Sequence, residues 1–327
     1  MKLHLVAQKI LASMFALALC CSCGAALAQN YPTKTIKFVV GFPPGGVNDI
    51  IGRIVGAKLS ERIGQPVVIE NKPGGNGVIG TDYVAKAAPD GYTLLIGTVG
   101  TMVFNPGLYA RLPYDPVKDF VAITQFASGP LVFAVNPSVK ANSIKELIAL
   151  AKANPGKMFY ASGAPPHEVT TEWFKKVAGV DLTHVAYKGG GPAVMAAVSN
   201  EVPIVVSSIA DVLPQLQAGK LRALAVSGKN RSALAPNIPT MAEAGLPNYD
   251  GVVLWTGLFA PAGTPRAIID KLYAELAIVL KQNDVKERLA ALSYDVGGMP
   301  PAEFDASFRA ELDKWTKVTR ELGIKAD

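Results

Sequence analysis

Three stretches of the chain carry residue types whose spacing could do chemistry. Gly75-Asn76-Gly77-Val78-Ile79-Gly80 matches G-x-G-x-x-G, the turn that brings backbone N–H groups against a dinucleotide pyrophosphate. That chemistry also requires an acid at the end of the following strand, to hold a ribose hydroxyl. Here that strand ends Ile96-Gly97-Thr98, so the motif reads as a glycine-rich strand-to-helix turn and not as a nucleotide site. Phe42-Pro43-Pro44-Gly45-Gly46-Val47-Asn48-Asp49 is a different device. Pro43 and Pro44 stiffen the approach to a helix, and Gly45 and Gly46 let the backbone close on a ligand. Asn48 can cap or donate, and the helix start carries roughly half a positive charge. The stretch reads as an anion cradle, with Asp49 an acid favoured by the helix dipole. The third stretch, Ser162-Gly163-Ala164-Pro165-Pro166-His167-Glu168, follows another strand and precedes another helix, and His167 there could face a ligand.

Catalysis is poorly provided for. The three cysteines, Cys20, Cys21 and Cys23, all lie near the N-terminus, and beyond residue 28 the histidines are His167 and His184. Two histidines without cysteine make a poor metal set, and no G-x-S-x-G elbow is present. His184 sits in an apolar strand and is expected to be structural. Neither metal nor cofactor is expected, and the chain is not expected to be an enzyme.

The elements that must position these turns alternate between strand and helix patterns. Residues 35–40, 66–70 and 93–98 read as strands. Between the first two, Ile51, Ile54, Val55, Leu59 and Ile63 recur on one helical face. This βαβαβ order predicts a parallel sheet with helices on both faces. A second unit begins with a strand over 131–135. Ser143-Ile144-Lys145-Glu146 has capping-box spacing and opens a helix. Further strands are expected at 158–161, 183–187, 202–207 and 221–226, with helices over 170–177 and from Ala193. A return strand near 253–259 precedes helices at 266–282, 285–292 and 301–322. The chain therefore starts in one lobe, builds a second and returns. Lobe one is expected at 29–125 with 250–327, and lobe two at 126–249. In open parallel sheets, ligands sit beyond the carboxyl ends of the strands, which places the turns at 42–49 and 162–168 in the cleft between lobes.

Bulk properties set the context. Lys2 and Lys9 flank an otherwise uncharged start, residues 10–19 are apolar apart from Ser13, and Ala26-Leu27-Ala28 offers a small-x-small cleavage site. Residues 1–28 are expected to be a signal peptide, removed to leave Gln29 first and the protein in the periplasm. Acylation at Cys23 is the alternative, although Cys20 and Cys21 stand where a leucine and a small residue belong. Removing 1–28 lowers the formal net charge from +6 to +4. The remaining basic residues are scattered, which points away from nucleic acid.

In this order, a series of segments resembles the substrate-binding receptors of tripartite tricarboxylate transporters, the Bug-type extracytoplasmic solute receptors. The segments are Tyr31-Pro32, residues 36–49, Gly64-Gln65-Pro66, Glu70-Asn71-Lys72-Pro73-Gly74, Ala88-Pro89-Asp90-Gly91-Tyr92 and Leu112-Pro113-Tyr114-Asp115-Pro116. Tyr187-Lys188-Gly189, Pro239-Thr240-Met241-Ala242-Glu243-Ala244-Gly245 and Ala260-Pro261-Ala262-Gly263-Thr264-Pro265 complete them. The resemblance implies an α/β, two-lobed, Venus-flytrap-like fold of periplasmic-binding-protein type. It implies a monomer that captures a small carboxylate and delivers it to membrane permease subunits, with a carboxylate sensor or co-receptor for a signalling partner as the alternative. The expected ligand-binding residues are Phe42, Pro44, Gly45, Gly46, Asn48 and Asp49 from the first lobe. Ser162, His167, Glu168, Lys188 and Ser207 are expected from the second. The second-lobe turn departs from the family pattern. Two prolines replace a loop rich in Gly, Ser and Thr, Glu168 adds an acid, and Ser207 stands where many relatives carry Asp. The far end of the ligand is left open: an aromatic, an amide or another weakly anionic group.

Overall fold

The structure is a computed structural model that describes residues 31–326; the expected signal peptide and Cys23 lie outside them. Strand β1 (Ile36–Val40) leads through the turn at 41–46 into α1 (Val47–Ile63), which packs Ile51, Ile54, Val55 and Leu59 inward and stops at Gly64 in the left-handed region. β2 (Val67–Asn71), a 3-10 turn (Gly75–Gly77), α2 (Val78–Ala85) and β3 (Thr93–Thr98) follow. After β3, a π turn (Gly100–Phe104) runs into the short α3 (Asn105–Leu108).

β4 spans Phe120–Val135, far longer than the strand expected over 131–135. Its Gly129-Pro130 looks like punctuation in the sequence, yet pairing runs through it. Pro130 faces Val253 across β9, and Leu131 faces Ser208 in a different sheet. One strand thus serves two sheets, and the pairing changes between Pro130 and Leu131.

The second sheet is built from α4 (Ile144–Ala153), β5 (Phe159–Ser162), α5 (Pro165–Ala178), β6 (Thr183–Ala186), α6 (Gly190–Val198), β7 (Ile204–Ser208), α7 (Ile209–Gln217) and β8 (Arg222–Val226). At the start of α4 the Ser143 side chain accepts from the Glu146 N–H. The Glu146 carboxylate reaches back to the Asn142 N–H, one residue short of a closed capping box. Helix α5 begins five residues earlier than the hydrophobic period suggests, because Pro165 and Pro166 occupy its first turn, where a missing N–H costs nothing. The chain returns through β9 (Val253–Pro261) and closes with α8 (Arg266–Val279), α9 (Asn283–Ala291), β10 (Asp295–Val296) and α10 (Pro301–Glu321).

The strand order is β2-β1-β3-β9-β4-β7-β5-β6, with β8 and β10 also on β4. β1, β2 and β3 are parallel, as are β5, β6 and β7, whereas β9 and β4 run antiparallel to their neighbours. The expected all-parallel sheet is therefore mixed, because the two crossing strands enter each sheet from the opposite end. Helices α1, α8 and α9 share one apolar cluster with the first sheet, and α6 and α7 share another with the second. A third cluster runs through both lobes, from Phe104 and Trp315 to Phe133, Tyr160 and Phe174.

Candidate functional site

The carboxyl ends of β1, β2 and β3 bring three turns together, the first two in backbone contact. A Cβ on Gly41 would lie 2.8 Å from the Gly77 Cα, and one on Gly80 would lie 2.8 Å from the Gly41 Cα. Gly75 and Gly77 have φ of +55° and +87°. The G-x-G-x-x-G pattern is thereby explained by packing: two glycines turn the chain and the third admits β1.

The cradle at 42–49 hangs on Asp49. Its buried carboxylate accepts from the Gly45 N–H at 3.0 Å, from Arg53 Nε and Nη2 at 2.9 Å each, and from Asn71 Nδ2 at 2.9 Å. Burial pushes the Asp49 pKa up, but the hydrogen bonds from Arg53, Gly45 and Asn71, with the Arg53 charge, outweigh it and hold the group below the usual aspartate range. Both carboxylate oxygens are thus engaged within the turn. Asn71 also donates to the Phe42 carbonyl at 3.0 Å, which fixes the turn's other end. Pro43, Pro44, Gly45 and Gly46 are exposed, Phe42 is half-buried, and no side chain caps the helix at Gly46. Asn48 Oδ1 accepts from Thr256 Oγ1 at 2.7 Å, leaving its amide N–H groups as donors. Pro43 and Pro44 have no N–H and that of Gly45 goes to Asp49, so the donors this turn presents are the uncapped N–H groups of the helix start and the Asn48 amide.

The second lobe repeats the placement with different chemistry. The carboxyl ends of β5, β6 and β7 gather the turns at 162–168, 187–191 and 207–211. A Cβ on Gly163 would meet the Gly189 backbone at 2.1 Å, and one on Gly190 would meet Asp211 Oδ2 at 2.1 Å. Ser162 Oγ lies 2.7 Å from His184 Nε2, and His184 Nδ1 lies 3.4 Å from Glu168 Oε1. The His184 ring stacks on Tyr160 at 4.9 Å. His167 is buried and receives the Gly163 N–H on Nδ1 at 3.4 Å; burial, partly offset by the Asp211 charge, pushes its pKa down to about 4. It sits in the turn as a neutral acceptor. Ser207 and Ser208 both donate to Asp211 Oδ2 at 2.8 Å. Lys188 is exposed. Helix α5 packs against the π turn of the first lobe.

Sequence reasoning did not single out Arg53, Asn71, Asp211 or Thr256 as parts of these turns. Arg53 stands four residues after Asp49, a spacing that signals an ion pair on a helix face. Asn71 and Thr256 arrive from other strands and leave no local signal. His184, expected to serve its strand alone, touches Ser162 and Glu168 as well.

A profile described as "Tripartite tricarboxylate transporter family receptor" matches residues 51–324. The Bordetella pertussis protein BugT is 36% identical over 302 residues, covering 91% of this chain and 92% of BugT. A Rhodopseudomonas palustris protein solved with adipate is 34% identical with a TM-score of 0.79, covering 90% of this chain and 99% of that one. MatC from the same organism, solved with bound malate, is 32% identical with a TM-score of 0.75 over 88% of this chain and all of MatC. These likenesses cover about nine-tenths of the chain, and the chain belongs to the tripartite tricarboxylate transporter receptor family.

Proposed function

We propose that this protein is a periplasmic receptor that captures a small carboxylate-bearing solute between its lobes and hands it to the membrane permease subunits of a tripartite transporter, without chemical turnover. The carrying observation is the turn at 42–49. It presents N–H donors at an uncapped helix start, braced from behind by Asp49, Arg53 and Asn71. Such a start favours an anion, and the brace removes the reorganisation that binding would otherwise require. The relatives solved with adipate and malate support the same reading.

The capturing unit is residues 29–125 with 250–327 as one lobe and 126–249 as the other, with 126–130, still paired to β9, as the joint. Phe42, Pro44, Gly45, Gly46 and Asn48 form the near wall, with Asp49 as the group that positions them. Ser162, Glu168, Lys188 and Ser207 form the far wall, with His167 holding its turn. Export follows from cleavage after Ala28, and the protein acts as a monomer. Titration calorimetry against mono-, di- and tricarboxylates tests the reading. A dissociation constant near ~1 µM is expected for at least one of them. No heat from any carboxylate, or conversion of a bound one, would overturn it.

A further inference from the structure

The far wall can be characterised by following its protons. Glu168 is an acceptor, so the His184 nitrogen facing it, Nδ1, carries the ring hydrogen; this tautomer is assigned from the partners. In the neutral ring Nε2 is then an acceptor, and Ser162, 2.7 Å away, must donate its only hydrogen to it. Ser162 Oγ is left with lone pairs alone. Ser207 and Ser208 are in the same position, because both hydrogens go to Asp211 Oδ2.

Several of the backbone donors of these turns are also spent or missing, although Gly190 and Gly191 still present theirs at the uncapped start of α6. The Gly163 N–H goes to His167 Nδ1, and those of His167 and Glu168 go to the Ala164 carbonyl. The Gly189 N–H goes to the Gly163 carbonyl, and Pro165 and Pro166 have none. The three turns hold two carboxylates, Glu168 and Asp211, against one cation, the exposed Lys188. A second ligand carboxylate would meet like charge from Glu168 and Asp211 here, whereas N–H groups would find acceptors.

Resting on the carboxylate-receptor reading, we propose that the solute carries one carboxylate, held by the turn at 42–49, and an N–H donor group at its far end, an ammonium or a carboxamide, held by Ser162 and Glu168. This protein is then a receptor for amino or amido acids and discriminates against dicarboxylates of the same length.

The test is a set of matched ligands at four-, five- and six-carbon lengths. At five carbons these are glutarate, 5-aminopentanoate, glutaramate and pentanoate, each titrated by calorimetry into the full exported protein. The best N–H-bearing acid should bind about tenfold or more tighter than the dicarboxylate of its length, and tighter than the plain acid. Glu168→Gln should narrow the gap between N–H ligand and dicarboxylate, with thermal melts reporting that the variant folds; the wild-type series decides the matter alone if it does not. A dicarboxylate that binds tightest overturns this inference and leaves the receptor reading intact, and so does a plain acid that matches the N–H ligands. If no carboxylate binds, both fall.

Discussion

Asp49 and His167 show how two titratable side chains can build a site without offering their charge to a ligand. Asp49 is pulled below its usual range by Arg53, Gly45 and Asn71 acting against burial, so it stabilises the fold above the pKa of the unfolded chain, and that contribution is lost as pH falls through the lower folded value. Asp49→Asn should therefore cost about 1–3 kcal/mol at pH 7 in urea melts, with half-exposed Arg53 limiting the figure. The gap from wild type should close as the pH drops below the ordinary aspartate value of 3.8. A gap independent of pH would show that the carboxylate charge is not what holds the turn. His167 also has a lowered pKa, but its favoured deprotonated form is neutral where that of Asp49 is charged. Its folded pKa of about 4 lies below 6.5, so the unfolded chain binds the extra proton and stability rises with pH between those values. His167→Gln should flatten that rise, and an unchanged slope would place the titration elsewhere. The sequence showed the dipole acid and the buried-turn histidine as types. It could not show their partners, because Asn71 and Asp211 come from strands and turns fixed only by the tertiary fold.

At the scale of elements, the pairing of a turn with the helix it opens was legible, and the ends of the elements were less so. The apolar recurrence in α1 follows from a local rule and appears as expected, and the left-handed Gly64 that ends it follows from another. The start of α5 was misplaced because Pro165 and Pro166 look like turn residues unless they are recognised as the first helical turn. Only the last five residues of β4, 131–135, were read as a strand, because Gly129-Pro130 just before them resembles a strand break; Pro130 survives there because the strand is changing sheets. The glycine motif at 75–80 was separated from nucleotide chemistry by the missing acid, yet the backbone contact between Gly80 and Gly41 that accounts for its third glycine is a non-local fact. That contact carries a prediction. Gly80→Ala forces a Cβ to 2.8 Å from the Gly41 Cα and 3.0 Å from the Lys72 carbonyl, both backbone atoms that cannot rotate away. It should cost about 1–3 kcal/mol by overpacking and, by moving the end of β1, weaken binding of every carboxylate tested. Calorimetric affinities indistinguishable from wild type would detach the glycine contact from the cradle it is argued to support.

For the whole molecule, the question is whether two sheets joined by two crossings unfold as one unit. Ser227 clips the crossings together: it receives the Leu131 N–H from β4 at 2.9 Å and donates to the Val252 carbonyl on the return path. A broader bond is apolar. Trp315 of α10 packs on Phe104 of the first lobe at 5.8 Å and meets Trp173 of α5 edge-on at 6.2 Å, within the cluster that spans both lobes. Lys176 of α5 pairs with Glu321 at the end of α10. The exposed ion pair adds little, whereas the buried indole removes a large apolar surface from water at the point where the lobes meet. The intact protein should therefore show a single calorimetric unfolding transition, with the lobes coupled. A carboxylate at one hundred times its dissociation constant should move that whole transition upward, by roughly 2.7 kcal/mol of linkage. For a chain of this size the shift is about 4 °C. Trp315→Ala should cost about 3–5 kcal/mol by leaving a cavity between α10, the π turn and α5. Because that cavity lies on the path joining the lobes, the single transition should also broaden or split, with the ligand stabilising the lobes unequally. Two transitions already present in the wild type would show that the Trp315 cluster does not couple the lobes, whereas a Trp315→Ala variant that loses stability but keeps one sharp transition would assign the coupling to the Ser227 clip and the continuous β4 strand.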